Sequence, residues 1–206
     1  MTVAAPVPIS RVSKAHADFE HRCAHLRELL DDENFLHNRS IGNEIGFHSF
    51  CYDPALELEA RAFFEDLVLQ SAEGCFRARI KAVNLYDLML ESLEERRILR
   101  AIPRIESKRG SAWLADDLST KSFSPDVAAE GILARTAPFE AGDVVLVTGV
   151  GEVYPVLRAH DLLNNMLADF GEVPVVLAFP GKFDGQRFRL FGRLTPDNYY
   201  RAFDIS

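Results

Sequence analysis

The chain has 206 residues, 48% of them hydrophobic and 26% charged, and a formal net charge of −8. One globular domain spanning residues 1–206 is expected, because a chain of this length buries roughly 70% of its unfolded surface and needs neither disulfides nor a structural metal. The acidity argues against sequence-blind nucleic-acid binding: a phosphate backbone repels such a molecule as a whole, and only a local basic patch reverses that.

Cys23, Cys51 and Cys75 are isolated and odd in number, which fits a reducing compartment and predicts a cytoplasmic protein. No window approaches the roughly 20 apolar residues of a membrane span, and the first residues lack the apolar core of a signal peptide.

Residues 1–12 read as a flexible N-terminus. From Phe19, the apolar positions Phe19, Cys23, Leu26 and Leu30 are spaced by four, three and four residues, one stripe of an amphipathic helix. IGFHSFCYDP reads as a strand, with Asp53 as N-cap and Pro54 at the first helical position. Leu56, Ala60, Phe63, Phe64 and Leu67 then form the inward face of a helix. A second strand over residues 78–85 leads into a helix that buries Leu85, Leu88, Met89 and Leu93. Residues 101–125 lose the periodicity around the lone Trp113 and read as an insert or mobile excursion. Helical spacing resumes at Val127 and runs through Ile132 and Leu133.

DVVLVTG, VLRAHDLLNNMLADF and VPVVLAF make a strand, a helix and a strand, a β-α-β unit that implies a parallel pair. The turn FPGKFDGQ then predicts an antiparallel return of RFRLFGRL, with Arg187, Arg189, Phe191 and Arg193 on one face and Phe188, Leu190 and Leu194 on the other. The aromatic tail should dock. Strands alternating with helices predict an α/β, three-layer fold: a mostly parallel sheet with helices on both faces and a C-terminal antiparallel strand.

The turn after DVVLVTG carries Gly149 and Gly151, but the third position of a G-x-G-x-x-G fingerprint is Tyr154, and no acid closes the next strand, so a dinucleotide site fails the pattern. The one Gly-Lys pair, Gly181-Lys182, is followed by Phe183 and makes no P-loop. Both turns nevertheless lie at strand carboxyl ends, where open α/β sheets place ligands. Either they hold a degenerate phosphate or peptide site, or the glycines only permit tight turns.

Arg158, near the helix start, either pins an anionic group or pairs with Glu152. His160 shares a face with Val156, Leu163 and Leu167 and reads as a buried, hydrogen-bonded side chain rather than a base. His21 and His25 lack the Glu of H-E-x-x-H and a third ligand, so they read as a solvated helix face. No catalytic residue, metal ligand or cofactor site is read from the chain. Between Lys182 and Arg201 the cations Lys182, Arg187, Arg189, Arg193 and Arg201 outnumber Asp184 and Asp197. With Tyr199 and Tyr200 they suit a protein interface, or they are a charged edge strand that resists unwanted pairing.

Three stretches, GNEIGFHSFCYDPALELEAR, VVLVTGVGEVYPVLRAHDLLNNM and FPGKFDGQRFRLFGRLTPDNYYRAF, resemble the BrxB family of BREX phage-defence systems in order and spacing. The resemblance covers most of the chain from Phe19 to Phe203. It implies a cytoplasmic component of a multi-gene system that restricts phage while a methyltransferase marks host DNA, alongside a PglZ-type protein with a phosphatase-like domain and a large ATPase. It transfers no catalytic residue onto this sequence. The expectation is a non-enzymatic adaptor that binds another component, the PglZ-type protein, with direct nucleic-acid binding and membrane insertion not expected. The alternative is a degenerate nucleotide-binding module using Gly149, Gly151, Arg158 and Lys182.

Overall fold

The computed structural model describes residues 9–38, 46–171, 173–184, 187–192 and 203–206. Alternation along the strands decides the architecture. β3 (Asp143–Thr148) sends Val145 and Val147 to one side and Val144 and Leu146 to the other, and all four are at most 3% exposed. A strand buried on both faces has to lie in a sheet that helices cover twice, the usual setting of parallel strands.

The path through the sheet is β2-β3-β4-β1-β6, where β1 is Phe47–Tyr52, β2 Arg79–Asn84, β4 Val175–Phe183 and β6 Phe203–Asp204. Every neighbouring pair on this path is parallel. On one face α1 (Ile9–Leu29), the short α2 (Glu33–Leu36) and α3 (Glu57–Ala72) close a core that contains Phe19, Leu26, Phe50, Phe63, Leu67 and Leu146. The Phe50 ring stacks on Phe63 at 5.7 Å and meets Phe64 edge-on at 5.2 Å. The other face is covered by α4 (Leu85–Glu95), α6 (Ser111–Lys121), α7 (Pro125–Thr136), α8 (Val150–Val153) and α9 (Ala159–Met166). Leu88, Leu118, Ile132, Leu162, Val147 and Leu177 belong to that second core.

Local chemistry starts the helices. The Asp53 carboxylate accepts from Ala55 N–H at 2.9 Å, and Pro54 opens a 3-10 turn that runs into α3, as expected of an Asp-Pro start. Asn84 caps α4 by accepting from Tyr86 N–H at 2.8 Å and Asp87 N–H at 3.2 Å.

Several expectations are corrected. Residues 101–125 are not an irregular excursion: α5 (Ile102–Arg109) and α6 occupy them, and Leu114, Leu118 and Phe123 are built into the second core. Two helices of eight and eleven residues, separated by Gly110 at φ +84, are too short to display a periodic stripe. The antiparallel return exists, but β5 covers only Phe188–Leu190 against the end of β4. The chain's final strand, β6, is parallel to β1, not antiparallel, with Phe203 opposite His48 near the amino end of β1. The helix read over residues 156–170 is α9, Ala159–Met166, and a separate short helix, α8, precedes Pro155, which cannot continue it. α1 begins at Ile9, so residues 9–12 of the stretch read as a flexible N-terminus are its first turn; residues 1–8 lie outside the described residues. The tail docks at its end, where Ile205 is 1% exposed in the α1/α3 core.

Candidate functional site

β1 leaves the sheet toward α3 on one face and β3 toward α8 on the other. The carboxyl ends of β1, β4 and β3 therefore border the place where open α/β sheets bind ligands. The glycine turn sits there and is filled by the protein itself. Gly149 has φ +76, and a Cβ on it would lie 2.5 Å from Asn84 Oδ1 and 3.1 Å from Leu85 N. A Cβ on Gly151 would lie 2.8 Å from Pro180 Cγ and 3.0 Å from Phe191 Cε1. The second glycine lets α8 pack on the β4–β5 hairpin, and the first supplies a left-handed turn.

The polar groups beside the turn are bound to one another. Arg61 of α3 donates to Glu152 Oε1 at 2.5 Å and to Glu57 Oε1 at 3.0 Å, while Tyr52 OH donates to Glu57 Oε2 at 2.8 Å. This chain ties the end of β1, the start of α3 and α8 together. Hydrogen bonds to Glu152 and Glu57 hold the Arg61 guanidinium above its ordinary range. Burial, followed by the charge and hydrogen bond of Glu57, pushes the Tyr52 phenol upward. Glu152 thus takes Arg61 as a partner. Arg158 is exposed at the start of α9 and Tyr154 is half-buried at the end of α8. His160 is half-buried, with Asn164 Nδ2 3.1 Å from its Nε2, and it stands beside the buried stripe of Leu162, Leu163 and Met166 rather than in it.

Between α1 and the ends of β1 and β4 lies an open cleft of about 940 Å³, bordered by Lys14, Asp18, His21, Tyr52, Asp53 and Lys182. Arg22 closes one side by donating to both Asp204 oxygens, at 2.9 and 3.0 Å, and to the Ile205 carbonyl. Cys51 lines the cleft, but burial, then the Asp204 charge, pushes its thiol up to about 12, so at neutral pH it is a thiol and not a nucleophile. Among the described residues no group of three or more His, Cys, Asp or Glu is placed to hold a metal.

The hairpin carries the remaining candidates. Lys182 stands directly opposite Arg189, and both are exposed, as is Arg187. The reverse side of the hairpin packs Phe183 and Phe179 against Phe188 at 4.5 and 4.6 Å. Gly181 is required beneath it, because a Cβ there would come within 2.2 Å of the Arg189 carbonyl oxygen. Arg193, Tyr199, Tyr200 and Arg201 lie outside the described residues. Tyr52, Glu57 and Arg61 were missed by sequence reasoning, since Arg61 and Glu152 are 91 residues apart and no local pattern pairs them.

A family model described as BREX protein BrxB matches residues 81–205. A Bacillus cereus (strain H3081.97) protein of the same description is 36% identical over 181 residues, covering 85% of this chain and 91% of its own. An Escherichia coli O9:H4 (strain HS) protein, also described as BREX protein BrxB, is 27% identical over 186 residues and 90% of each chain. No solved structure matches.

Proposed function

The chain belongs to the BrxB family and is a component of a BREX system, and from that premise we propose that it is a non-enzymatic adaptor whose basic hairpin binds another component, the PglZ-type phosphatase-fold protein. One observation carries the reading. Lys182 and Arg189 are exposed directly opposite each other across β4 and β5, although like charges in that position destabilise a strand pair. An acidic partner surface relieves the repulsion, and arginine is a favoured anchor in interfaces. The glycine turn supports the same reading from the other side: Pro180 and Phe191 stand where a nucleotide phosphate would approach Gly151.

The test is co-purification with the PglZ-type protein at moderate salt. Arg187→Glu with Arg189→Glu should reduce recovery at least tenfold, worth about 1.4 kcal/mol or more, while the melting temperature holds, because both side chains are exposed. Undiminished recovery removes the hairpin from the contact. Elution of the unaltered chain alone removes the adaptor reading.

A further inference from the structure

A second basic surface lies far from the hairpin. Between residues 96 and 109 the chain carries Arg96, Arg97, Arg100, Arg104, Lys108 and Arg109 against the single acid Glu106, within a protein of net charge −8. The fold turns this run into a face. Ile98, Leu99, Ile102 and Ile105 pack against the core, which holds the Leu99–Ala101 turn and α5 in a fixed orientation. Arg100, Arg104 and Lys108, spaced by four, then stand along one exposed side over about 12 Å, with Arg97 just before them.

These side chains differ from the arginines that carboxylates hold elsewhere in the fold. Arg22, Arg27, Arg61, Arg77, Arg79 and Arg135 each pair with a carboxylate. Arg97, Arg100, Arg104 and Lys108 form no ion pair with a described residue. Like charges four apart weaken a helix, so the stripe costs stability in the free protein. Next to it, Arg109 lies 4.5 Å over the Trp113 ring, which holds the guanidinium in place. Among the nearby acids, Asp117 pairs with Lys121 and Glu106 accepts from Ser111; Glu94, Glu95 and Asp116 are exposed on α4 and α6.

We propose that this face of the Leu99–Ala101 turn and α5 binds the sugar–phosphate backbone of nucleic acid, without reading sequence, through Arg97, Arg100, Arg104 and Lys108. Guanidinium forks suit phosphate oxygens, and neighbouring side chains on a helix stand about 5–6 Å apart, so several phosphates are contacted at once. The stripe itself presents only cations, with Trp113 at its edge beneath Arg109, whereas the buried centre of a protein interface is depleted in charge. The overall acidity does not prevent it, because charges beyond a Debye length of about 8–10 Å are largely screened at physiological salt. The inference is independent of the adaptor reading, which rests on the hairpin.

The test is fluorescence anisotropy of the full chain with a random duplex and a random single strand of about 20 units, titrated between about 50 and about 200 mM NaCl. Four neutralised phosphates predict log–log salt slopes of about −3.6 for the duplex and about −2.8 for the single strand. Arg100→Ala with Arg104→Ala should halve the slope and weaken binding at least tenfold, with no loss in melting temperature. Arg104→Gln alone should lower the duplex slope by about 0.9. Arg77→Ala, which removes an exposed cation paired with Glu33, should change neither. Absence of binding at the lowest salt overturns the proposal, as do variants that bind like the unaltered chain. Competition by polyglutamate as effective as competition by DNA also overturns it and assigns the face to an acidic polypeptide.

Discussion

His48 lies in β1 between the rings of Phe35, 4.7 Å away, and Phe203, 5.9 Å away, and is 7% exposed. Burial lowers its pKa from 6.5 to about 4, so the folded protein holds it neutral over a range where the unfolded chain takes up a proton. Stability should therefore be unaffected by this group above pH 6.5 and fall by about 1.4 kcal/mol per pH unit between 6.5 and about 4, roughly 3 kcal/mol in all. Asp143 acts at lower pH. It is 1% exposed, accepts from Arg79 Nε at 2.9 Å and Glu140 N–H at 2.8 Å, and pairs with Lys81 at 2.8 Å. Burial raises its pKa, but these bonds outweigh burial and lower it below 3.8, so its contribution is complete above that value and is lost only on further acidification. Urea titrations from pH 7 to 4 should show the histidine slope, and His48→Phe should flatten it. An unchanged slope in that variant would place the uptake elsewhere. Neither environment is legible in the sequence. His48 is one polar residue in an apolar run, and Asp143 and Lys81 meet only because β2 and β3 pair in register.

At the scale of elements, long periodic segments were readable and short ones were not. β1, β3, α3 and α4 follow their apolar spacing because each presents enough turns or alternations to mark a face. α5 and α6 do not, and the charge run from Arg96 to Arg109 passed without meaning, since a run of cations has no face until a helix supplies one. Their membership in the core has a measurable consequence. Phe123 is 0% exposed directly after α6, so Phe123→Ala should cost about 3–5 kcal/mol in chemical denaturation. A mobile excursion would tolerate the change at almost no cost. The β4–β5 hairpin shows the opposite case: its turn chemistry predicted the antiparallel return, and Lys182 opposite Arg189 follows from the register.

Across the whole molecule, the first helix and the last strand hold each other. Arg22 and Asp204 are 182 residues apart, at 23% and 25% side-chain exposure, and Ile205 N–H donates to the Ser49 carbonyl at 3.0 Å. Arg22→Ala should cost only about 1 kcal/mol, since the pair is partly solvated, and should speed amide exchange at Ile205 more than in β3. Equal protection in both forms would show that apolar packing of Ile205 alone docks the strand. Composition and apolar spacing were enough to determine an α/β chain with a mostly parallel sheet and helices on both faces, because alternation and helical periodicity are local properties of the backbone. The tertiary structure decided which glycines are filled by neighbours, that β6 runs parallel to β1, which carboxylates the arginines take, and which cations stay unpaired. Those outcomes depend on residues brought together from distant parts of the chain, and contact at such separations is set by strand order and helix docking, which no local pattern encodes.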